Sequence, residues 1–221
     1  ELWSYFDKPV VPVHHIYGHI FSILLERKKD DIAFPLVILT ASGGHNDLYL
    51  IEKKWEQKSD FSSRFWQEEF AGFVISKLGG TLDDAAWECF DKVSRMLGGP
   101  YPWGAWVGQK AKIGKVNDQV KFKRIFLTHD KYEFSFSGMK SQVSFLLERL
   151  KKENIELTEQ LICDIAYEFQ EAVVEVMAKK LLQAAQEFWA KSVAIAGGVS
   201  ANQRLFEMIK ELNEKKNLNY P

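Results

Sequence analysis

Leu36-Val37-Ile38-Leu39-Thr40-Ala41-Ser42-Gly43-Gly44-His45 is the stretch on which the reading of this chain turns. An apolar, β-branched run bounded by a turn signal reads as a buried strand. The two glycines at its end leave backbone N–H groups free of any Cβ, either for a tight turn or for close approach to an anion such as phosphate. A second unit, Ser192-Val193-Ala194-Ile195-Ala196-Gly197-Gly198-Val199, repeats the grammar of apolar strand into Gly-Gly. The repetition favours a ligand-binding pair of turns over a coincidence of loops.

Working outward, Pro9–Val13 reads as a short extended segment, and His14 to about Lys29 as an amphipathic helix with Ile16, Ile20 and Leu24 on one face. Leu48–Ile51 reads as an antiparallel partner of strand 35–41. Residues 61–73 carry Phe61, Phe65, Trp66, Phe70 and Phe73 at helical spacing, which predicts a packed surface helix or an aromatic docking face. A helix capped by Thr81 is expected over 81–97, with Asp83 and Asp84 at its positive end and Gly98-Gly99-Pro100 ending it, and Tyr101–Gly104 reads as a loop. Between 109 and 131, seven cations stand against two aspartates, a local charge of +5, which suits either a solvated loop or contact with an RNA backbone. Glu133–Phe136 alternates like a strand. Helices are expected from Ser137 to about Lys152, from Thr158 to Ala190 and from about Ala201 to Lys215, with another strand opening at Asn219-Tyr220-Pro221. Strands mixed with helices, and a hairpin among them, predict an α/β fold with a mixed sheet.

The 221 residues are 46% hydrophobic, enough for one large domain or two small ones. The net charge of −1 exerts no global pull toward nucleic acid or anionic membrane. Cys89 and Cys163 read as small apolar helix residues of a reducing compartment. No basic-then-apolar leader and no run of about 18 apolar residues is visible, so a soluble cytoplasmic protein is expected. The opening Glu1-Leu2-Trp3-Ser4 reads as cut from something longer.

His15 and His19, four apart, share one helix face, a spacing that suits two imidazoles on one metal ion as well as a packed or solvated pair. The zinc-peptidase helix carries a glutamate directly after its first histidine; here that position is Ile16, so peptidase chemistry lacks its base. Asp91, beside a glycine-rich turn, could accept hydrogen bonds from ribose hydroxyls. Asn202 follows Gly197–Ala201 at a helix start, where Asn is also common for purely local reasons.

Taken together, Val13–His19, Ser42–His45, Leu82–Ala86, Phe90–Val93, Tyr101-Pro102, Phe134–Lys140 and Ala196–Asn202 resemble, in order, the motifs of the tRNA threonylcarbamoyladenosine transferase family, formerly called the O-sialoglycoprotein endopeptidase or glycoprotease-like family. The resemblance implies the actin-like ATPase fold, two pseudo-symmetric α/β lobes with mixed sheets and nucleotide between them, with lobe parts near 30–135 and 136–221. Each lobe would then offer one Gly-Gly turn. It implies His15 and His19 as two of three ligands to an iron or zinc ion. Thr40, Ala41, Ser42, Gly43 and Gly44 would hold the phosphate and acyl part of threonylcarbamoyl-AMP or ATP, and Asp91, Gly104 and Asn202 the nucleoside. The implied partners are tRNA, a related inactive paralogue subunit and other members of a threonylcarbamoylation complex. The family's third metal ligand and its first strand fall outside residues 1–221, so the resemblance implies a central fragment incomplete at both ends. It also marks departures. Trp87 and Trp103 stand where the family has glycines near the nucleoside and are expected to crowd it. Gly108 stands near a usual aspartate, Gly80 replaces a glutamate, Asn46 a threonine, and 53–75 reads as an insertion. A non-catalytic paralogue acting as a complex partner is the alternative, and a metallopeptidase a more distant one.

Overall fold

The structure, a computed structural model, describes residues 14–25, 32–41, 44–56, 65–101, 103–127, 132–198, 202–218 and 220. Its elements run α1 (His15–Ser22), β1 (Leu36–Ala41), β2 (Asn46–Lys53), a 3-10 turn (Lys54–Glu56), β3 (Trp66–Phe70), β4 (Phe73–Gly79), α2 (Ala86–Met96), α3 (Trp103–Ile113), α4 (Ser137–Lys152), α5 (Glu159–Glu187), β5 (Ser192–Ala196) and α6 (Gln203–Lys215). The expected segment Pro9–Val13, the basic end of the first helix, Phe61, Asn219 and Pro221 lie outside the described residues.

One five-stranded mixed sheet, in the order β3-β4-β2-β1-β5, organises the chain. β1 lies inside the sheet between β2 and β5 and is buried along its whole length, as its continuous apolar run requires. Val37, Leu39 and Ala41 point into a large core shared with the helices that follow β4, while Leu36 and Ile38 point to a smaller cluster under α1. The two Gly-Gly turns, expected to come one from each lobe, both close strands of this sheet. β5 runs parallel to β1 with Thr40 opposite Ala196, so both turns leave the same edge side by side.

α5, 29 residues long, is the spine of the larger core. Thr158 caps it by accepting a hydrogen bond from the Leu161 N–H at 3.3 Å. Apolar side chains on most sides of this helix are buried, which a helix can sustain only inside a core.

Five local expectations are corrected. The aromatic stretch is a β-hairpin in its described part: Ala71 and Gly72, both at positive φ (51° and 83°), form the two-residue turn that joins β3 to β4. The spacing misleads because residues 66 and 70 share a face in a helix and in a strand alike. The helix expected from Thr81 begins only at Ala86. Leu82 and Gly80 instead exchange backbone hydrogen bonds with Phe134, leaving Glu133–Phe136 as an isolated bridge, not a strand. Asp83, expected at its own helix's start, serves α4 instead. It accepts from the Phe136 and Ser137 N–H groups (2.8 and 3.2 Å) and from the Ser135 and Ser137 hydroxyls (2.5 and 2.7 Å). Burial disfavours its charge, but these four donors outweigh burial and hold its carboxyl below the usual range. Finally, the Trp103-Gly104 loop is the first turn of α3.

Candidate functional site

α1 lies across β1 and β5 with Tyr17 and Ile20 buried against the sheet. His15 and His19 take the opposite, exposed face. Their Nε2 atoms stand 3.0 Å apart, with the rings edge-on at 4.4 Å between centroids. Partial burial, and then the neighbouring His15, hold His19 below its ordinary pKa, which favours the neutral form that binds metal. The convergent Nε2 pair fits two adjacent positions on one metal ion. Among the described residues no third His, Cys, Asp or Glu joins them.

At the end of β1, Thr40 and Ala41 are buried, and the Thr40 hydroxyl leans on the Asp47 carbonyl at 3.4 Å. Ser42 and Gly43 lie outside the described residues. Gly44 faces open space: a Cβ built there meets nothing within 4 Å. The second turn divides its two glycines. Gly197 (φ +89°) presses on β1 so closely that a Cβ would sit 2.4 Å from the Ala41 carbonyl oxygen, whereas Gly198 faces open space like Gly44. Gly44 and Gly198 therefore bare backbone at the carboxyl ends of two adjacent parallel strands, a common place for ligands in α/β folds.

Of the residues assigned to a nucleoside, Asn202 lies just past the second turn, while Asp91 and Gly104 sit on α2 and α3. Asn202 caps α6, its Oδ1 accepting from the Leu205 N–H at 3.1 Å, and its Nδ2 donates to Gln170 Oε1 at 3.3 Å. Gly108, one turn after Gly104 on α3, brings its Cα face within 3.7 Å of that same Gln170 oxygen, measured from a built Cβ. Gly104 faces the indole of Trp87, which a Cβ would meet at 2.8 Å. Trp87 stacks on Phe90, and Asp91 follows it by one turn on α2. The Trp87 indole thus occupies the face of Gly104. Trp103 heads α3, and its side chain lies outside the described part.

Two further residues matter that motif reading passed over as functional. Gln170 on α5 accepts from Asn202 at the start of α6 and faces Gly108 of α3, and its sequence signal is that of a polar residue in the buried Phe169–Val174 run, which also holds Glu171. Asn46, wholly buried, sends Oδ1 to the Ala86 N–H at 3.1 Å. It supplies the cap that Ala85 cannot, tying the first turn to the helix that bears Asp91.

The Gly80 position is filled from the sheet. A Cβ there would fall 2.3 Å from Asp47 Oδ1, which pairs with Lys77 at 2.9 Å and accepts from the Tyr49 hydroxyl at 3.2 Å through its other oxygen. Much of the basic stretch is also matched. Lys110 pairs with Glu159 (2.7 Å), Lys121 with Asp118 (2.8 Å), and Arg124 with Glu168 and with Glu175 (2.8 Å). A charge count within 109–131 cannot see the carboxylates of α5. Among the described residues no helix is long and apolar enough to cross a membrane.

A mixed sheet covered by helices, with glycines past the ends of two parallel neighbours, defines an α/β protein. A family model described as tRNA N6-adenosine threonylcarbamoyltransferase matches residues 2–64 and 66–221. Proteins of that name from Staphylococcus epidermidis and Persephonella marina are 36% and 40% identical, over 96% of this chain in each case. The chain covers 55% and 53% of their lengths, so it spans about half of the curated relatives it matches. A crystal structure of T. kodakarensis HypF aligns with 64% of this chain and 17% of its own, at 21% identity and a TM-score of 0.45. The chain belongs to the tRNA N6-adenosine threonylcarbamoyltransferase family, whose fold is that of the actin-like ATPases.

Proposed function

We propose that the protein transfers the threonylcarbamoyl group from threonylcarbamoyl-AMP to N6 of the adenosine next to the anticodon in tRNA. The observation that carries this reading is the family match along nearly the whole chain. The approach of Gly108 and Asn202 to Gln170, just past the second open glycine, supports it. In the reaction, N6 forms a bond to the carbamoyl carbon and loses a proton. The bond from that carbon to the phosphate oxygen breaks, and AMP leaves with the electron pair.

The chain's own part is to hold the adenylate. Backbone N–H groups at Gly44 and Gly198 are the donors for its phosphate, acting as a preorganised anion site. Asp91 accepts from ribose hydroxyls. Asn202, already oriented by Gln170 and by its capping bond, flanks the nucleoside. An iron or zinc ion bound by His15 and His19 would act there as a Lewis acid. The protein works on tRNA in the cytoplasm, with a related inactive subunit and other members of a threonylcarbamoylation complex. The test supplies protein, threonylcarbamoyl-AMP and unmodified tRNA and looks by mass spectrometry for the modified adenosine. Its formation, lost in His15→Ala, is the expected result; unmodified tRNA from active-quality protein contradicts the reading.

One observation favours a second reading, a non-catalytic complex partner: the Trp87 indole fills the face of Gly104. On that reading ATP does not bind, and Trp87→Gly restores no transfer.

A further inference from the structure

Residues 119–123, outside any helix or strand, lie against α4. Val120 and Phe122 point inward and are buried, so Lys121 and Lys123, two apart, point outward together. The segment is pinned at both ends. Gln142 exchanges two hydrogen bonds with the Lys123 backbone (2.7 and 3.1 Å), and Arg149 donates to the Gln119 carbonyl at 3.0 Å. Between them Phe145 stands out of α4 with 68% of its surface exposed, one turn from Arg149. The result is a shallow groove of about 270 Å³ whose lining includes Lys121, Arg149 and Phe145 and, among the described residues, no carboxylate. Asp118 meets Lys121 only at the rim, where both groups are open to water and the pair is weak.

An exposed aromatic ring flanked by cations on a rigid support is how proteins bind unpaired nucleic acid: bases stack on the ring, and the cations follow the phosphates. We propose that this groove is a platform for an unpaired stretch of RNA, with a base on Phe145 and phosphates against Lys121, Lys123 and Arg149. The proposal rests on the tRNA-modifying reading, because the loop around a target adenosine offers unpaired bases. It narrows the RNA contact from the 109–131 stretch as a whole to the outward-facing Lys121 and Lys123, while the Phe122 N–H between them donates inward to Glu168 of α5 at 3.2 Å.

Fluorescence polarisation of a labelled anticodon stem-loop RNA, titrated with the 221-residue chain, tests it, with ATP binding measured on the same samples. Phe145→Ala and the pair Lys121→Glu/Lys123→Glu each raise Kd by about tenfold, and the charge reversal flattens the salt dependence. Phe145→Tyr retains binding. Lys112→Glu, on α3, has little effect. Matching thermal unfolding midpoints exclude misfolding. RNA binding that is absent in the unmodified chain, or unchanged in both variants, overturns the platform. ATP binding reports separately on the nucleotide cleft, so the platform can fail while the transferase reading stands, and the reverse.

Discussion

The turns after β1 and β5 share a sequence grammar but are held in different ways. The turn after β5 is seated by absence: Gly197 has no Cβ, so it can rest on the Ala41 carbonyl in a left-handed conformation. The turn after β1 is seated by a side chain: Asn46, on its far side, reaches Ala86 and anchors it to α2. A Cβ built at Gly44 or at Gly198 meets nothing within 4 Å. The described glycines of the two turns, alike in sequence, thus divide into one whose place requires the missing Cβ and two that face open space, the two proposed to bind phosphate. Positive φ and close approach mark the first.

The sharpest way to break this comparison is Gly197→Ala. It introduces both a strained φ and an overlap with β1, and should cost about 3 kcal/mol in chemical denaturation. Equal stability of Gly197→Ala and Gly198→Ala would erase the distinction. Asn46→Ala comes next. It strands the buried Ala86 N–H and should cost about 2 kcal/mol, measured in the same way. Asn202→Ala removes a cap and should cost about 1 kcal/mol.

Asp83→Asn, at the motif that Asn46 reaches from the other side, should cost about 1 kcal/mol near neutral pH. Its sign with pH follows from its lowered folded pKa. The stabilisation is present above the unfolded value of 3.8 and is lost as pH falls from there through the folded value. An acid-unfolding titration should therefore show a shallower decline below pH 3.8 in the Asn variant. Gly44→Ala and Gly198→Ala have the smallest effect on stability, within about 0.5 kcal/mol.

The buried strand β1, the long helix α5 and the Gly-Gly punctuation after β1 and β5 were legible in the sequence, because buried runs, helical periodicity and paired glycines are local signals. The β3–β4 hairpin was not. Residues 66 and 70 fit both periods, and the turn rests on Ala71, a residue that rarely takes positive φ. Asp83 was misassigned for a related reason: its partners lie more than fifty residues on, at Ser135–Ser137, and a cap delivered from a distant loop leaves no spacing to read. In the candidate site, the helix face shared by His15 and His19 was readable from i, i+4 geometry. Gln170 was not, because only tertiary packing brings α3, α5 and α6 together. The crowding expected of Trp87 could be inferred from its size, but that its indole lies on Gly104 is a fact of helix packing.

Calorimetry of ATP binding to the chain and to its Gly44→Ala and Gly198→Ala variants tests the account most directly. The account predicts measurable binding by the unmodified chain, weakened about tenfold in each variant while the unfolding midpoints stay together, as loss of a backbone approach worth about 1.4 kcal/mol would produce. No binding by the unmodified chain, or equal binding by all three, would contradict it.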